Sequence, residues 1–307
     1  MDKLKSGPVV LTIGVFDGVH LGHQVLLKQA IALADELGGS SVTASFNPHP
    51  TAFLRPLDFQ GLLTLPDRRK EILIDLGINR VEMLQFNLAM SQMSPESFVE
   101  EIIVDHLNAD VILVGKNFRF GHKAAGDVQT LVALTKKFGI EVRILELVGD
   151  AVVWSSTRIR KLILDGEVTN ARMLLGRPHR VSGEVVHGDH RGRELGFPTA
   201  NVDAPAQLII PADGVYSGVV HAFGEVFPAA ISIGTNPTFE GVVGRRVEAH
   251  VLDQTNLDLY GHVIAIDFIN HVRSMEAFDG IESLKIAMNK DVEESRLHIS
   301  DFLNVSN

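Results

Sequence analysis

The stretch Gly14-Val15-Phe16-Asp17-Gly18-Val19-His20-Leu21-Gly22-His23 decides the fold of the first half, because it places two histidines in a glycine-rich turn. The β-branched run 9–13 before it predicts a buried strand, and the run 24–37 after it predicts a helix. His20 and His23 therefore lie where a helix begins, and unpaired backbone N–H groups there favour an anion. Either histidine alone would be a simple loop residue. The pair favours a phosphate site, although neither a dinucleotide fingerprint nor a Walker A loop is present.

The composition is that of a globular protein of about two domains. Of the 307 residues, 45% are hydrophobic and 21% are charged, and the chain has no cysteine, which excludes disulfides and thiolate chemistry. A net charge of −10 argues against a nucleic-acid partner. The N-terminal apolar run is short and lacks a signal cleavage site, and no stretch has the composition of a membrane span. We therefore expect a cytoplasmic protein with no membrane partner.

Strand and helix patterns alternate along the first half of the chain. This alternation predicts a doubly wound parallel sheet, with helices on both faces. Ligands of such sheets bind at the carboxyl ends of the strands, where the histidine turn and the segments 47–50 and 117–121 all lie. Predicted strands cover 9–13, 41–46, 81–84, 111–114 and 141–145, and predicted helices lie near 24–37, 67–76, 95–107 and 126–138.

The second half changes to short β-rich segments separated by glycine, proline and aspartate, after a helical pair near 157–165 and 168–175. This spacing predicts a small antiparallel barrel or sandwich, closed by an amphipathic helix near 280–303. We place the boundary near 178, which gives domains 1–178 and 179–307. The second domain holds 9 basic and 18 acidic residues, against 19 and 20 in the first. A polyphosphate bound there should therefore arrive with a divalent cation.

The histidine stretch resembles the signature of the nucleotidyltransferase superfamily, and specifically that of bacterial bifunctional riboflavin kinase/FAD synthetases. The resemblance implies an N-terminal doubly wound parallel-sheet nucleotidyltransferase domain, followed by a small antiparallel β-barrel riboflavin kinase domain with a C-terminal helix. It implies an enzyme that phosphorylates riboflavin to FMN with ATP and Mg²⁺, and then adenylylates FMN to FAD, releasing pyrophosphate. Five further segments continue the resemblance in the family's order: Phe46–Pro50, Val114–Gly121, Ser155–Arg160, Gly192–Val202 and Val247–His250.

For adenylyl transfer, the resemblance implies catalytic roles for His20, His23 and Asn117. The histidines would donate hydrogen bonds to the α- and β-phosphates, and the asparagine would orient the flavin phosphate or ATP. The resemblance assigns Arg160 to phosphate binding, and a phosphate would explain a cation in the first turn of a helix. Lys116 departs from the acidic or neutral residue of many relatives and leaves the local electrostatics open. Further ATP or phosphate contacts are expected at Gly14, Phe16, Asp17, Gly22, Ser156 and Thr157, and flavin contacts at Asn47, Pro48, His49 and Asn117.

For riboflavin phosphorylation, the resemblance implies a metal site and a base. Thr199 and Asn201 alternate along one strand, so their side chains point to the same side, and their hard oxygens suit Mg²⁺. Glu248 interrupts an apolar strand and is the expected base for the 5′-hydroxyl of riboflavin, with a solvent-facing strand residue as the alternative. The resemblance lays ATP along Gly183 and Gly188, and the flavin along 234–239 and the terminal helix.

Two other functions remain open at this point. One is a riboflavin kinase with a degenerate N-terminal domain, against which the intact histidine pair, Asn117 and Arg160 argue. The other is a non-catalytic flavin-binding protein, which would need no base such as Glu248. The sequence also leaves open whether copies of the chain form a homo-oligomer.

Overall fold

A computed structural model describes residues 7–146, 154–188, 196–235, 245–254 and 257–306. The chain divides into two compact units, Met1–Ser156 and Thr157–Asn307. Within the described ranges, no helix has the length and apolar character needed to cross a membrane.

Five parallel strands form the sheet of the first unit, as the sequence predicts. They are β1 (Val9–Ile13), β2 (Ser40–Asn47), β3 (Arg80–Gln85), β4 (Val111–Gly115) and β5 (Glu141–Leu145). Their order is β3-β2-β1-β4-β5. Successive side chains of a strand face opposite sides, so Val10 and Leu11 enter two different clusters of the core. The strand order reverses between β1 and β4, and the carboxyl ends of these two strands form the crevice where such sheets bind ligands.

Helices connect these strands, and all four predicted ones are present with shifted ends. Helix α1 begins three residues earlier than predicted, because the His20 side chain caps it. The sequence does not predict α2 and α4, since five-residue helices carry too little periodicity. The helices are α1 (Leu21–Glu36), α2 (Pro50–Leu54), α3 (Pro66–Asp75), α4 (Leu88–Gln92), α5 (Pro95–Ser97), continued by a π-helix (Phe98–His106), and α6 (Val128–Thr135).

Six antiparallel strands of the second unit close into a barrel, which decides between the barrel and the sandwich that the spacing allows. They are β6 (His179–Val186), β7 (Ala200–Asp203), β8 (Gly214–Ala222), β9 (Glu225–Thr235), β10 (Arg245–Val251) and β11 (Val263–Arg273). The closed order is β10-β7-β6-β11-β8-β9. Alternate side chains fill the interior: Val247 and Ala249 are buried, whereas Glu248 between them is half-buried.

Among the described residues, the helices that accompany the barrel are α7 (Ser156–Leu164), α8 (Val168–Leu175) and α9 (Ile281–Ser306). The last one matches the predicted terminal helix. Arg273 at the end of β11 donates two hydrogen bonds, each of 2.8 Å, to the Asp291 carboxylate of α9. Ile299 of the same helix joins an apolar cluster with Val219 and Ile269. Packing and a bidentate ion pair thus hold α9 on the barrel wall.

The compact units divide earlier than the boundary predicted near 178. Helix α8 packs against β6 and β11, and Ile159 and Ile163 of α7 are buried. The change to short β-rich segments marks the first barrel strand. It does not show against which unit the preceding helices pack. Contacts between distant segments decide that assignment, and they place residues 157–178 with the barrel.

Candidate active sites

The first site begins at the His20–His23 turn, where α1 starts. The His20 Nδ1 accepts a hydrogen bond of 3.3 Å from the backbone N–H of His23, which caps the helix. The two imidazole rings stack with their centroids 3.6 Å apart. An imidazole that accepts at Nδ1 carries its proton on Nε2 when it is neutral. His20 is therefore a donor through its Nε2 atom, at a helix N-terminus that already favours anions.

His23 is buried beside His20, and both the burial and the neighbouring ring affect its pKa. Burial first, and the neighbouring His20 second, lower the pKa of His23 well below its ordinary value. Its Nδ1 atom is buried and has no hydrogen-bond partner among the described residues. A neutral imidazole still offers one N–H donor. His23 can therefore donate to a phosphate without carrying a full positive charge.

Three loops meet at a cavity of about 710 Å³ at the carboxyl edge of the sheet, called here the sheet-edge cavity. The histidine turn contributes His23, the segment after β2 contributes His49, and the segment after β4 contributes Asn117. The convergence predicted from the strand ends is therefore present. The predicted contact residues Gly14, Phe16, Asp17 and Ser156 also line this cavity.

The other residues predicted for this site are placed differently. Asn47 ends β2 and is joined by a cis peptide bond to Pro48; both residues are exposed, and neither lines the cavity. Gly22 lies inside α1, where a Cβ would come within 3.1 Å of the Trp154 Cβ. Thr157 and Arg160 belong to α7 in the second compact unit, where Arg160 is buried.

The Asp17 carboxylate has a role that the sequence does not predict. It accepts hydrogen bonds from the backbone N–H groups of Leu63 and Thr64, at 3.0 to 3.1 Å. The Asp17 carbonyl accepts a 2.8 Å hydrogen bond from the Ser156 hydroxyl. Because its carboxylate is committed to the protein, Asp17 can meet a nucleotide only through its backbone.

Sequence reasoning also missed most of the cavity's aromatic lining. Phe46, Phe86 and Phe118 come from three different segments and surround a space suited to a planar ring. Phe118 stacks on Phe120 at 5.6 Å between centroids. Phenylalanine is also the usual core residue, so the sequence carried no signal that separates lining from core.

The second site is formed where β7 and β10 pair. Glu248 lies directly opposite Asn201 in the antiparallel register. The Thr199 hydroxyl donates a 3.3 Å hydrogen bond to Glu248 Oε2. Thr199 and Asn201 are half-buried, whereas Ala200 and Val202 between and beyond them are buried, so the alternation predicted for this segment is present. Thr199 itself lies just before β7 begins.

The oxygen atoms of this site fit a hard divalent cation. Asn201 Oδ1 is buried and lacks a hydrogen-bond partner among the described residues. A Cβ at Gly188 would collide with the Asn201 amide, so the glycine lets the backbone approach that side chain. Gly183 is required in a different way, since a Cβ there would collide with the Asp203 carbonyl. An unpaired amide oxygen beside a hydroxyl and a carboxylate is a suitable ligand set for Mg²⁺.

A cavity of about 310 Å³, called here the barrel cavity, is lined by Thr199 and Asn201. Glu248 is bonded to Thr199 but is not among the residues that line the cavity. Tyr260 also lines it and stacks on His187 with 4.2 Å between ring centroids. Sequence reasoning missed this aromatic pair, because its members lie 73 positions apart in the chain. Of the predicted flavin segment 234–239, residues 236–239 lie outside the described residues, as do 189–195.

Comparisons with known proteins agree over most of the chain. A family model for FAD synthetase matches residues 2–158, and one for riboflavin kinase matches residues 175–299. Bifunctional riboflavin kinase/FMN adenylyltransferases from Listeria monocytogenes and Pseudomonas fluorescens are 33% and 36% identical to this chain. These alignments cover 94% of this chain and 91% and 92% of those proteins. A crystal structure from Streptococcus pneumoniae, named as a macrolide-efflux protein, is 32% identical with a TM-score of 0.85, covering 95% of this chain and 94% of that one.

The fold, the two cavities and the two family models together define an enzyme with a nucleotidyltransferase unit and a kinase barrel. Both enzymatic domains are present, which favours two activities over a kinase with a degenerate N-terminal domain. The chain belongs to the bifunctional riboflavin kinase/FMN adenylyltransferase family.

Proposed function

We propose that this chain adenylylates FMN in the sheet-edge cavity. A phosphate oxygen of FMN attacks the α-phosphorus of ATP, the new P–O bond forms FAD, and pyrophosphate leaves. His20 and His23 donate hydrogen bonds to the phosphate oxygens while negative charge develops on these oxygens. Asn117 orients a phosphate from the carboxyl end of the neighbouring strand β4. The observation that carries this proposal is the stacked histidine pair at a helix N-terminus, with His23 lining the cavity that Asn117 also lines.

We propose the barrel cavity as the place where riboflavin is phosphorylated. Glu248 accepts the proton of the riboflavin 5′-hydroxyl. The 5′-oxygen attacks the γ-phosphorus of ATP at the same time, and ADP leaves. The hydrogen bond from Thr199 holds the Glu248 carboxylate in one orientation. Thr199 and Asn201 would hold Mg²⁺, which when bound neutralises phosphate charge. The His187–Tyr260 pair offers a flat apolar wall on which an adenine ring can stack.

The division of the activities at residue 178 remains a proposal. It assigns the adenylyltransferase to 1–178 and the kinase to 179–307, while contacts place 157–178 with the barrel. The phosphate-binding roles of Thr157 and Arg160 stay predictions from the resemblance. Cytoplasmic location and self-association stay predictions.

The decisive experiment uses the full chain with riboflavin, ATP and Mg²⁺, and separates flavins by chromatography. We expect riboflavin to be converted to FMN and then to FAD. His23→Ala should let FMN accumulate, whereas Glu248→Gln should block conversion of riboflavin but not of supplied FMN. If either variant lost both activities while remaining folded, the assignment of one reaction to each cavity would be wrong.

A further inference from the structure

Arg69 is the largest fully buried side chain of the described residues, and only 1% of its surface is exposed. It lies on α3, in a sequence that otherwise forms an ordinary surface helix. Burial lowers the pKa of its guanidinium, while the Asp17 carboxylate opposes this shift. A buried guanidinium remains protonated in proteins, so it must be compensated by nearby acceptors.

The two ends of the Arg69 guanidinium bond to two different loops. One terminal nitrogen donates to the Val15 carbonyl at 2.8 Å, and the other donates to the Phe46 carbonyl at 2.7 Å. Val15 belongs to the histidine turn, and Phe46 lies where β2 ends. Both residues line the sheet-edge cavity. One rigid side chain therefore links the histidine turn to the end of β2, from which the second loop of the cavity leaves.

The histidine turn has an unfavourable backbone conformation at two residues. Phe16 and Val19 adopt positive φ angles of 49° and 38°, which are unfavourable for residues with a Cβ. Asp17, between them, is bonded to Leu63 and Thr64, one turn before α3. The segment 63–69 thus binds the turn through Asp17 on one side and through Arg69 on the other. This arrangement fixes the turn in a conformation that the backbone alone would not favour.

Stability alone does not explain a buried arginine at this position. An apolar side chain of similar volume often stabilises a protein at least as well as a buried charge. What the planar guanidinium adds is direction, because its N–H groups form a fixed fork. In a group transfer, a displacement of about 1 Å between the reactants can cost on the order of 10²-fold in rate.

We propose that Arg69 is a positioning residue for adenylyl transfer, which holds the histidine turn and the end of β2 at a fixed separation. The phosphates bound at the turn and the flavin bound beside β2 are then kept in line for attack. This inference rests on the proposed placement of adenylyl transfer in the sheet-edge cavity.

The test compares Arg69→Met and Arg69→Lys with Arg68→Met in the full chain. Arg68 is the adjacent arginine, but it is partly exposed and pairs with Glu71 at 2.9 Å, which makes it a matched control. We expect Arg69→Met to lower kcat of adenylyl transfer by roughly 10²-fold, with smaller changes in the KM for FMN and ATP. Arg69→Lys should restore part of the loss, since lysine keeps the charge but not the fork. Arg68→Met should behave as the parent.

Two internal controls separate positioning from folding. Riboflavin phosphorylation in the same molecules should stay unchanged, and the fluorescence of Trp154, the single tryptophan, reports unfolding of the first unit. All rates are measured below the first unfolding transition. If Arg69→Met does not fold, Arg69→Lys decides: a loss of roughly tenfold in kcat supports the proposal.

Parental kcat in a folded Arg69→Met or Arg69→Lys variant would overturn the proposal. His23→Ala, measured in parallel, keeps this result separate from the assignment of the site. If His23→Ala loses adenylyl transfer and the Arg69 variants do not, the site stands and only the positioning role is wrong. If none of these variants changes adenylyl transfer, the sheet-edge cavity is not where the reaction occurs.

Discussion

The sheet-edge cavity and the barrel cavity present opposite chemistry to the same class of ligand, a nucleoside polyphosphate. The groups at the first are donors: the His23 imidazole, which stacks on His20 at a helix N-terminus, and the Asn117 amide. At the second they are acceptors: the oxygens of Thr199 and Asn201 line the cavity, and the Glu248 carboxylate is hydrogen-bonded to Thr199. Donors can meet phosphate oxygens directly, whereas acceptors need a cation between them and the phosphate. The excess of acidic residues in 179–307 likewise favours a cation between the protein and the phosphate.

The largest expected effect tests the acceptor side of this comparison. Glu248→Gln keeps the shape of the side chain but removes the charge that accepts the hydroxyl proton. Riboflavin phosphorylation should fall by roughly 10²–10⁴-fold, the usual contribution of a general base. Steady-state kinetics on riboflavin measure this, with FAD formation from supplied FMN as the control. Near-parental kinase activity would show that Glu248 is an ordinary strand residue. The contrast between donors in one cavity and acceptors in the other would then lose its carboxylate.

The donor side is tested by His23→Ala. Loss of a donor to the developing phosphate charge should lower the rate of adenylyl transfer by roughly 10²–10³-fold. Kinase activity should not change. His106→Ala, an exposed histidine that ends the π-helix, provides a matched control and should keep both activities. A His23→Ala enzyme that forms FAD at the parental rate would show that the donors lie elsewhere.

A smaller effect should appear in the pH dependence of stability. The pKa of folded His23 is lowered by burial and by His20, so the unfolded chain binds this proton more readily. The contribution of His23 to stability is therefore complete above pH 6.5, its ordinary pKa, and is lost as the pH falls below that value. The slope should approach ~1.4 kcal/mol per pH unit for this one proton.

Thermal unfolding followed by Trp154 fluorescence between pH 7.5 and 5.5 measures this loss, because this range extends about one pH unit to either side of the ordinary histidine pKa. His23→Gln cannot titrate and should flatten the dependence. An equal slope in the variant would assign the acid sensitivity to other groups. The barrel unit, unfolded separately by its own transition, should not respond to the substitution.

The smallest expected effect is on a fragment of the chain. Residues 157–307 keep the whole second compact unit, so we expect this fragment to phosphorylate riboflavin as the full chain does. The shorter fragment 179–307 loses α7 and α8, whose buried side chains include Ile159, Ile163 and Leu175. It should melt at a lower temperature, because its apolar surface against these helices becomes exposed. Equal melting temperatures would support residue 178 as a boundary for folding as well as for activity.

Much of the architecture follows from local periodicity. The runs that became β1 and β4 are continuous apolar segments, as expected of strands covered on both faces, and the glycine-rich turn after β1 signals a phosphate site by composition. The sequence therefore determined the parallel sheet, the loops at its carboxyl edge and the change to short antiparallel strands. The apolar context of Glu248 left two roles open, a base or a solvent-facing strand residue, and only the family resemblance favoured the base.

Only the tertiary structure decided how distant side chains meet. The register that sets Glu248 opposite Asn201 depends on pairing between strands 47 positions apart, which no local pattern encodes. The charge state of His23 depends on burial by neighbours from other segments. Arg68 and Arg69 are adjacent and chemically identical, and a rotation of about 100° along the helix leaves one partly exposed and buries the other. Residue type is local, whereas solvent access and bonding partners arise when the chain packs.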